Sequence, residues 1–200
     1  MARTATIRDE TILDAAREVF LARGVQGTTA EVAERAGISE GTIFNRFRSK
    51  DELFRAAMMQ PGAAIPWAAT LDRPVEGTDT RTRMIELGLD IIDFFRKLMP
   101  LMMMSWSNRG PHKVPGLLEQ PDPPPAVAMR RLMAYFESEA RAGRIRPTNA
   151  AVLARTFLGG LQNFVFFELL LAGREPSPLG ADEFVRGHVA LLWSAIAPET

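Results

Sequence analysis

The sequence predicts an all-α protein of about nine helices, arranged as a small N-terminal domain and a larger C-terminal one. Three observations carry this. Apolar residues recur at spacings of three and four nearly throughout. Helix start and stop signals bracket each periodic stretch. No alternating strand pattern, hairpin signal or internal repeat interrupts them.

Over residues 6–23, Ile12, Ala16, Val19 and Phe20 share one face, and Gly24 fits a C-terminal stop. Thr28-Thr29-Ala30-Glu31 is a capping box: the Thr28 side chain accepts from the backbone three residues on, and Glu31 reaches back. Gly37 ends that short helix, and Ser39 caps the next, expected over about Glu40 to Phe47. Ser49-Lys50-Asp51-Glu52 is a second capping box, opening a helix with Leu53, Phe54, Ala57 and Met58 on one side. Two tight turns thus join short helices within residues 1–55, the layout of a helix-turn-helix, with its motif at about residues 28–47.

Residues 56–200 are expected to form the second domain. Pro61, Gly62 and Pro66 interrupt the chain, and a loop with Asp72, Pro74, Gly77 and Asp79 follows. Residues 80–98 read as a helix that Pro100 breaks, leaving Leu101 to Trp106 as a short apolar piece. Residues 107–125 are rich in Gly and Pro and read as a long loop, with Asp122 before Pro123 as a helix start. Helices are expected over residues 126–142, 149–172 and 181–196.

Composition excludes several chemistries. With no cysteine, there is no disulfide framework, thiolate nucleophile or cysteine zinc site. The two histidines, His112 and His188, lie far apart in different contexts. Neither a metal site nor a catalytic set is expected, so the chain reads as a non-enzyme without a cofactor. The N-terminus has no apolar signal-peptide core, and the longest apolar run, Phe157 to Ala172, contains Gln162, Asn163 and Glu168. A cytoplasmic protein with no membrane partner is the expectation.

A net charge of zero argues at first against nucleic acid, but DNA binding requires only a local basic surface. Arg46, Arg48 and Lys50 fall within five residues with no acid between them. Beside a helix-turn-helix they suit the major groove; elsewhere they would be a solvated face.

The run Gly27-Thr28-Thr29, Val32-Ala33, Ala36-Gly37-Ile38-Ser39, Gly41-Thr42-Ile43-Phe44, Phe47 and Ser49-Lys50-Asp51-Glu52-Leu53 resembles the TetR/AcrR family of bacterial transcriptional regulators. The resemblance is strong over residues 6–58 and is one of architecture beyond them. It implies a DNA-binding set of Thr28, Thr29, Ser39, Gly41, Thr42, Phe44, Asn45, Arg46 and Lys50. Thr28 and Thr29 lie at a helix N-terminus, where free N–H groups favour a phosphate. Ile43 and Phe47, four apart, face inward as core. Phe44, Asn45 and Arg46 point the other way, where Asn45 suits adenine and Arg46 suits guanine or a phosphate. Lys50 resembles the family's phosphate-contacting lysine. Phe44 departs from the family, which usually has tyrosine there. Glu40 stands open between accepting from cytosine N4 and favouring the helix N-terminus.

The resemblance further implies a homodimer on a pseudo-palindromic double-stranded operator and an unidentified small-molecule effector. The dimer candidates are Leu153, Phe157, Leu161, Phe164, Phe184, His188, Leu191 and Leu192, since the last two helices carry apolar residues on more than one face. The effector candidates are Met84, Phe94, Phe95, Met99, Met102, Met103 and Trp106, with Gln162 and Asn163 as polar positions in an apolar helix. The expected function is that of a transcriptional regulator, most simply a repressor released by a largely apolar effector. An activator, an effector-independent regulator, and a helical binder or enzyme with a vestigial DNA module are the alternatives.

Overall fold

The computed structural model describes residues 9–58, 65–71, 79–107, 124–174, 176 and 178–198, and only the backbone of residues 69, 101 and 104–107. Every regular element among them is helical: α1 (Asp9–Arg23), a 3-10 turn over Gly24–Gln26, α2 (Thr29–Ala36), α3 (Glu40–Phe44), α4 (Lys50–Met58), α5 (Ala68–Leu71), α6 (Thr80–Ser107), α7 (Pro124–Arg141), α8 (Ala150–Leu171) and α9 (Ala181–Ile196). The expected start at Asp122-Pro123, most of the 107–125 loop, Pro61, Gly62, the 72–77 turn residues and His112 lie outside the described residues.

The chain forms two compact units, Met1–Ala63 with Lys97–Pro124, and Ala64–Arg96 with Pro125–Thr200. The division drawn from sequence after residue 55 falls inside α4, which belongs to the first unit through Leu53, Phe54 and Ala57. The core of that unit is Ile12, Ala16, Val19 and Phe20 of α1, Val32 and Ala33 of α2, Ile43 and Phe47, and the α4 residues just named. Phe20 and Phe54 meet edge to face at 5.6 Å.

Pro100 does not break its helix. α6 runs through it to Ser107. Proline lacks an N–H and so forfeits the hydrogen bond to the carbonyl four residues back, that of Arg96. Arg96 is also the last residue that α6 contributes to the second unit. The lost bond therefore falls where α6 passes from one unit to the other, and Leu98, just beyond, packs on the N-terminal core.

The second unit is built on α8. Leu153, Ala154, Phe157, Leu161, Phe164 and Val165 are buried along one side of it. Gly88 of α6 lets that helix approach α9, since a Cβ there would lie 2.8 Å from Val185 Cγ1. Glu168 of α8 receives a two-pronged ion pair from Arg96, at 2.9 and 2.7 Å. By length and composition α8 is also apolar enough to cross a membrane. Its buried side instead forms the core of this unit.

Candidate nucleic-acid interface

The turn between α2 and α3 is set by three local devices. Thr28 caps α2, its side chain accepting from Glu31 N–H while Glu31 accepts from Thr28 N–H, so the box is closed both ways. Gly37 takes φ 67, ψ 34, a left-handed conformation that a β-carbon disfavours. Ser39 then caps α3, accepting from Thr42 N–H at 3.2 Å. The Ser49 box is only half made. Ser49 accepts from Glu52 N–H, but the Glu52 carboxylate takes the N–H of Arg48.

α3 is shorter than the expected Glu40 to Phe47, ending at Phe44. The backbone tightens after it, Arg46 N–H reaching the Ile43 carbonyl three residues back at 3.0 Å. The expected division of faces holds for Phe44 and Asn45, while Arg46 is half-buried. Ile43 and Phe47 are buried, whereas Gly41, Phe44 and Asn45 are exposed, Phe44 at 48 %. A Cβ on Gly41 would meet nothing closer than 3.8 Å, so packing within the chain does not demand glycine there. The bare position leaves room for a close approach from outside.

The other members of the DNA set are already engaged. Ser39 and Thr42 share a hydroxyl–hydroxyl bond of 2.9 Å. Arg46 pairs with Asp9 at the start of α1. Lys50 donates to the Val25 carbonyl at 2.6 Å and lies 6.0 Å above the Phe20 ring. Thr29 corrects its expected role. It is buried, and its hydroxyl donates to the Glu40 carboxylate rather than facing a phosphate.

The effector candidates divide between the two units. Met84 is buried in the second unit, where Phe94 and Phe95 are half-buried, while Met99, Met102 and Met103 belong to the first unit; the Trp106 side chain lies outside the described residues. Gln162 and Asn163 are exposed, so they are not buried polar groups in need of partners. The dimer candidates are corrected too. Leu153, Phe157, Leu161 and Phe164 are spent on the core of their own chain. Phe184 and His188 are half-buried, stacking with Phe164 at 4.5 Å and with Phe157 at 5.9 Å respectively. Leu192 is half-buried, and only Leu191 is open, at 75 % exposure. The outward stripe of α8 is Val152, Thr156, Gly159, Asn163, Phe166 and Leu170, all exposed. Their spacing of four and three is that of a helix–helix seam.

A buried polar cluster in the second unit was missed. Thr80 donates to Glu139, whose carboxylate also takes two bonds from Arg144 at 2.8 and 2.7 Å. Burial opposes the Glu139 charge, but the Arg144 and Thr80 hydrogen bonds outweigh it and hold its pKa below the usual carboxylate value. Arg83 reaches the Thr70 carbonyl at 2.8 Å. Among the described residues the buried Tyr135 hydroxyl and Trp67 Nε1 have no hydrogen-bond partner, and burial, then the Glu139 charge, raises the Tyr135 pKa. One signal was present: Ala128, Leu132, Phe136 and Glu139 keep one helical spacing, so Glu139 stands on the buried stripe.

Residues 12–57 match the bacterial regulatory proteins, tetR family. This is the segment whose caps, turn and outward face have just been described. Over residues 12–57 the chain is therefore similar to the tetR-family regulators. It is similar to an uncharacterised helix-turn-helix transcriptional regulator, YvkB of Bacillus subtilis, at 25% identity over 164 residues, covering 82% of this chain and 84% of that protein. It is similar to the regulator BetI of Cronobacter sakazakii at 26% identity over 193 residues, covering 92% of each. Its fold matches that of the regulator FadR of Bacillus subtilis, solved in complex with stearoyl-CoA, with a TM-score of 0.57 at 12% identity, covering 92% of this chain and 97% of that one.

Proposed function

We propose that this chain is a tetR-family repressor that binds a pseudo-palindromic operator as a homodimer and leaves it when a small effector binds the second unit. The carrying observation is α3 itself, with Ile43 and Phe47 buried behind it and Gly41, Phe44 and Asn45 exposed in front. A single such helix makes few base contacts, which favours two copies on two half-sites. The α8 stripe supports the second copy. Its apolar ends, Val152, Phe166 and Leu170, flank Gly159 and Asn163. A small residue permits close helix approach, and one central asparagine favours a single register. The effector reading is supported by the two buried donors, Tyr135 and Trp67, and by the acyl-CoA held by FadR. Both point to a ligand with an apolar body and an accepting oxygen. Action in the cytoplasm follows from this reading.

The effector works only through different affinities for the DNA-competent and released states. The test is a mobility-shift titration with DNA from upstream of the gene, at several salt concentrations. Sequence-specific, salt-sensitive binding is expected, lost in Arg46→Ala/Lys50→Ala while the thermal melt is retained. Failure of the folded protein to shift any such DNA refutes the proposal.

A further inference from the structure

Glu40 opens α3, and its carboxylate is held from behind. The donor is the hydroxyl of Thr29, a residue only 8 % exposed. Neither group is needed for capping. Thr28 and Glu31 close the N-terminus of α2, and Ser39 closes that of α3. Among the described residues Thr29 is the only hydrogen-bond partner of Glu40, and no arginine or lysine neutralises it. One carboxylate oxygen is therefore anchored, and the other is left on an exposed residue. One helical turn further on, along the same stripe, stands the exposed ring of Phe44.

We propose that Glu40 is a specificity-determining residue that selects a C·G pair at one fixed position of each operator half-site, its free oxygen accepting from cytosine N4. This rests on the reading of the chain as an operator-binding regulator. The chemistry discriminates in both directions. An ionised carboxylate only accepts hydrogen bonds. Guanine O6 and N7 and thymine O4 are themselves acceptors and are repelled. Adenine offers N6 but sets the N7 lone pair beside it, whereas cytosine N4 is an unopposed donor. The Thr29 bond fixes the side chain before DNA arrives, so the acceptor meets the groove in one orientation. The apolar Phe44 ring suits a thymine methyl and does not compete for the same donor.

The experiment is selection from a randomised double-stranded DNA pool with the full-length protein and with Glu40→Gln, Glu40→Ala and Thr29→Val, each checked by thermal melt. The wild type should enrich cytosine at one position of each half-site, preferring it over the other bases by roughly tenfold to a hundredfold in competition binding. Glu40→Gln should move that single position to adenine, because glutamine pairs with adenine N6 and N7. Glu40→Ala should make it degenerate and leave the other positions unchanged. Thr29→Val should keep the cytosine preference at a lower ratio. If Glu40→Ala selects the wild-type consensus at every position, even with weaker overall binding, Glu40 only supports the fold and the inference is overturned. A wild-type protein that enriches no sequence overturns the regulator reading itself, and that outcome is distinguishable from loss of preference at one position.

Discussion

Gly160→Ala tests how tightly α9 is seated on α8. A β-carbon at Gly160 would lie 2.5 Å from His188 Cε1, 2.8 Å from Nε2 and 3.1 Å from Nδ1. The ring has little freedom to retreat. It stacks 5.9 Å from Phe157 and 5.6 Å from Phe184, and its Nε2 lies 3.1 Å from the Phe157 carbonyl oxygen. Displacing it gives up a stack, about 1 kcal/mol, and a hydrogen bond, about 1 kcal/mol, with overpacking strain of roughly 1 kcal/mol besides. Alanine returns about 1 kcal/mol of helix propensity. The balance is a loss of roughly 2 kcal/mol, which at this chain length lowers Tm by about 4–8 °C. Thermal unfolding followed by circular dichroism at one fixed protein concentration measures it. The decisive control is the same substitution made in His188→Ala. With the ring gone, the added methyl meets no His188 atom, and Gly160→Ala should become stabilising by about 1 kcal/mol. An equal loss in both backgrounds refutes the reasoning.

Leu191→Glu should leave the fold of one subunit within about 0.5 kcal/mol, because the side chain is exposed, yet convert the proposed dimer to monomers. Light scattering behind a sizing column reads the mass, and an unchanged dimer would exclude this face. Glu139 has a folded pKa below its unfolded value, so its contribution is present above about pH 4.5 and is lost as pH falls through the lower folded value. Denaturant titrations from pH 6 down to pH 3 should therefore show a steeper acid limb for the wild type than for Glu139→Gln; parallel limbs would contradict it. Phe44→Tyr adds a hydroxyl at an exposed position facing the proposed groove. Operator affinity should rise by up to about fivefold in a fluorescence-anisotropy titration, the equivalent of about 1 kcal/mol. A Kd unchanged or raised would mean that no phosphate lies within reach of position 44.

The N-terminal unit was legible because its signals are local. Thr28, Glu31, Gly37 and Ser39 act on backbone groups within a few residues, and the i, i+4 pair Ile43 and Phe47 declares its own buried face. What failed depended on partners distant in sequence. Thr29 looks like a phosphate ligand until Glu40, eleven residues on, is seen to take its hydroxyl. Leu153, Phe157, Leu161 and Phe164 are as apolar as Val152, Phe166 and Leu170, and composition cannot say which row faces the chain's own core. The helical period could have divided them: the two rows keep separate spacings around α8. Pro100 misled because a proline signals only the loss of one hydrogen bond and a local clash, and a long helix that packs along its length tolerates both. The Glu139 cluster was hidden by the general rule that charges face water, which holds only until an arginine and a threonine satisfy the carboxylate.

The in-chain bonds of Arg46 and Lys50 bear on how a chain of zero net charge would discriminate among DNA sequences. In the proposed complex a phosphate reaching Arg46 has to displace Asp9, and one reaching Lys50 has to replace the Val25 carbonyl. Such an exposed pair is worth about 0–1 kcal/mol, so the exchange on a matched operator is a small loss beside the counterions released there. On unmatched DNA the same exchange removes part of the only attraction available, because sequence-independent binding is almost wholly electrostatic. Asp9 adds repulsion toward any phosphate that approaches without rearranging the pair. Cations already paired thus weaken indiscriminate binding more, in proportion, than operator binding. The burden of affinity then shifts to the groups proposed to read bases, Asn45, Phe44 and Glu40 among them, and a chain with no excess of positive charge is compatible with a selective regulator.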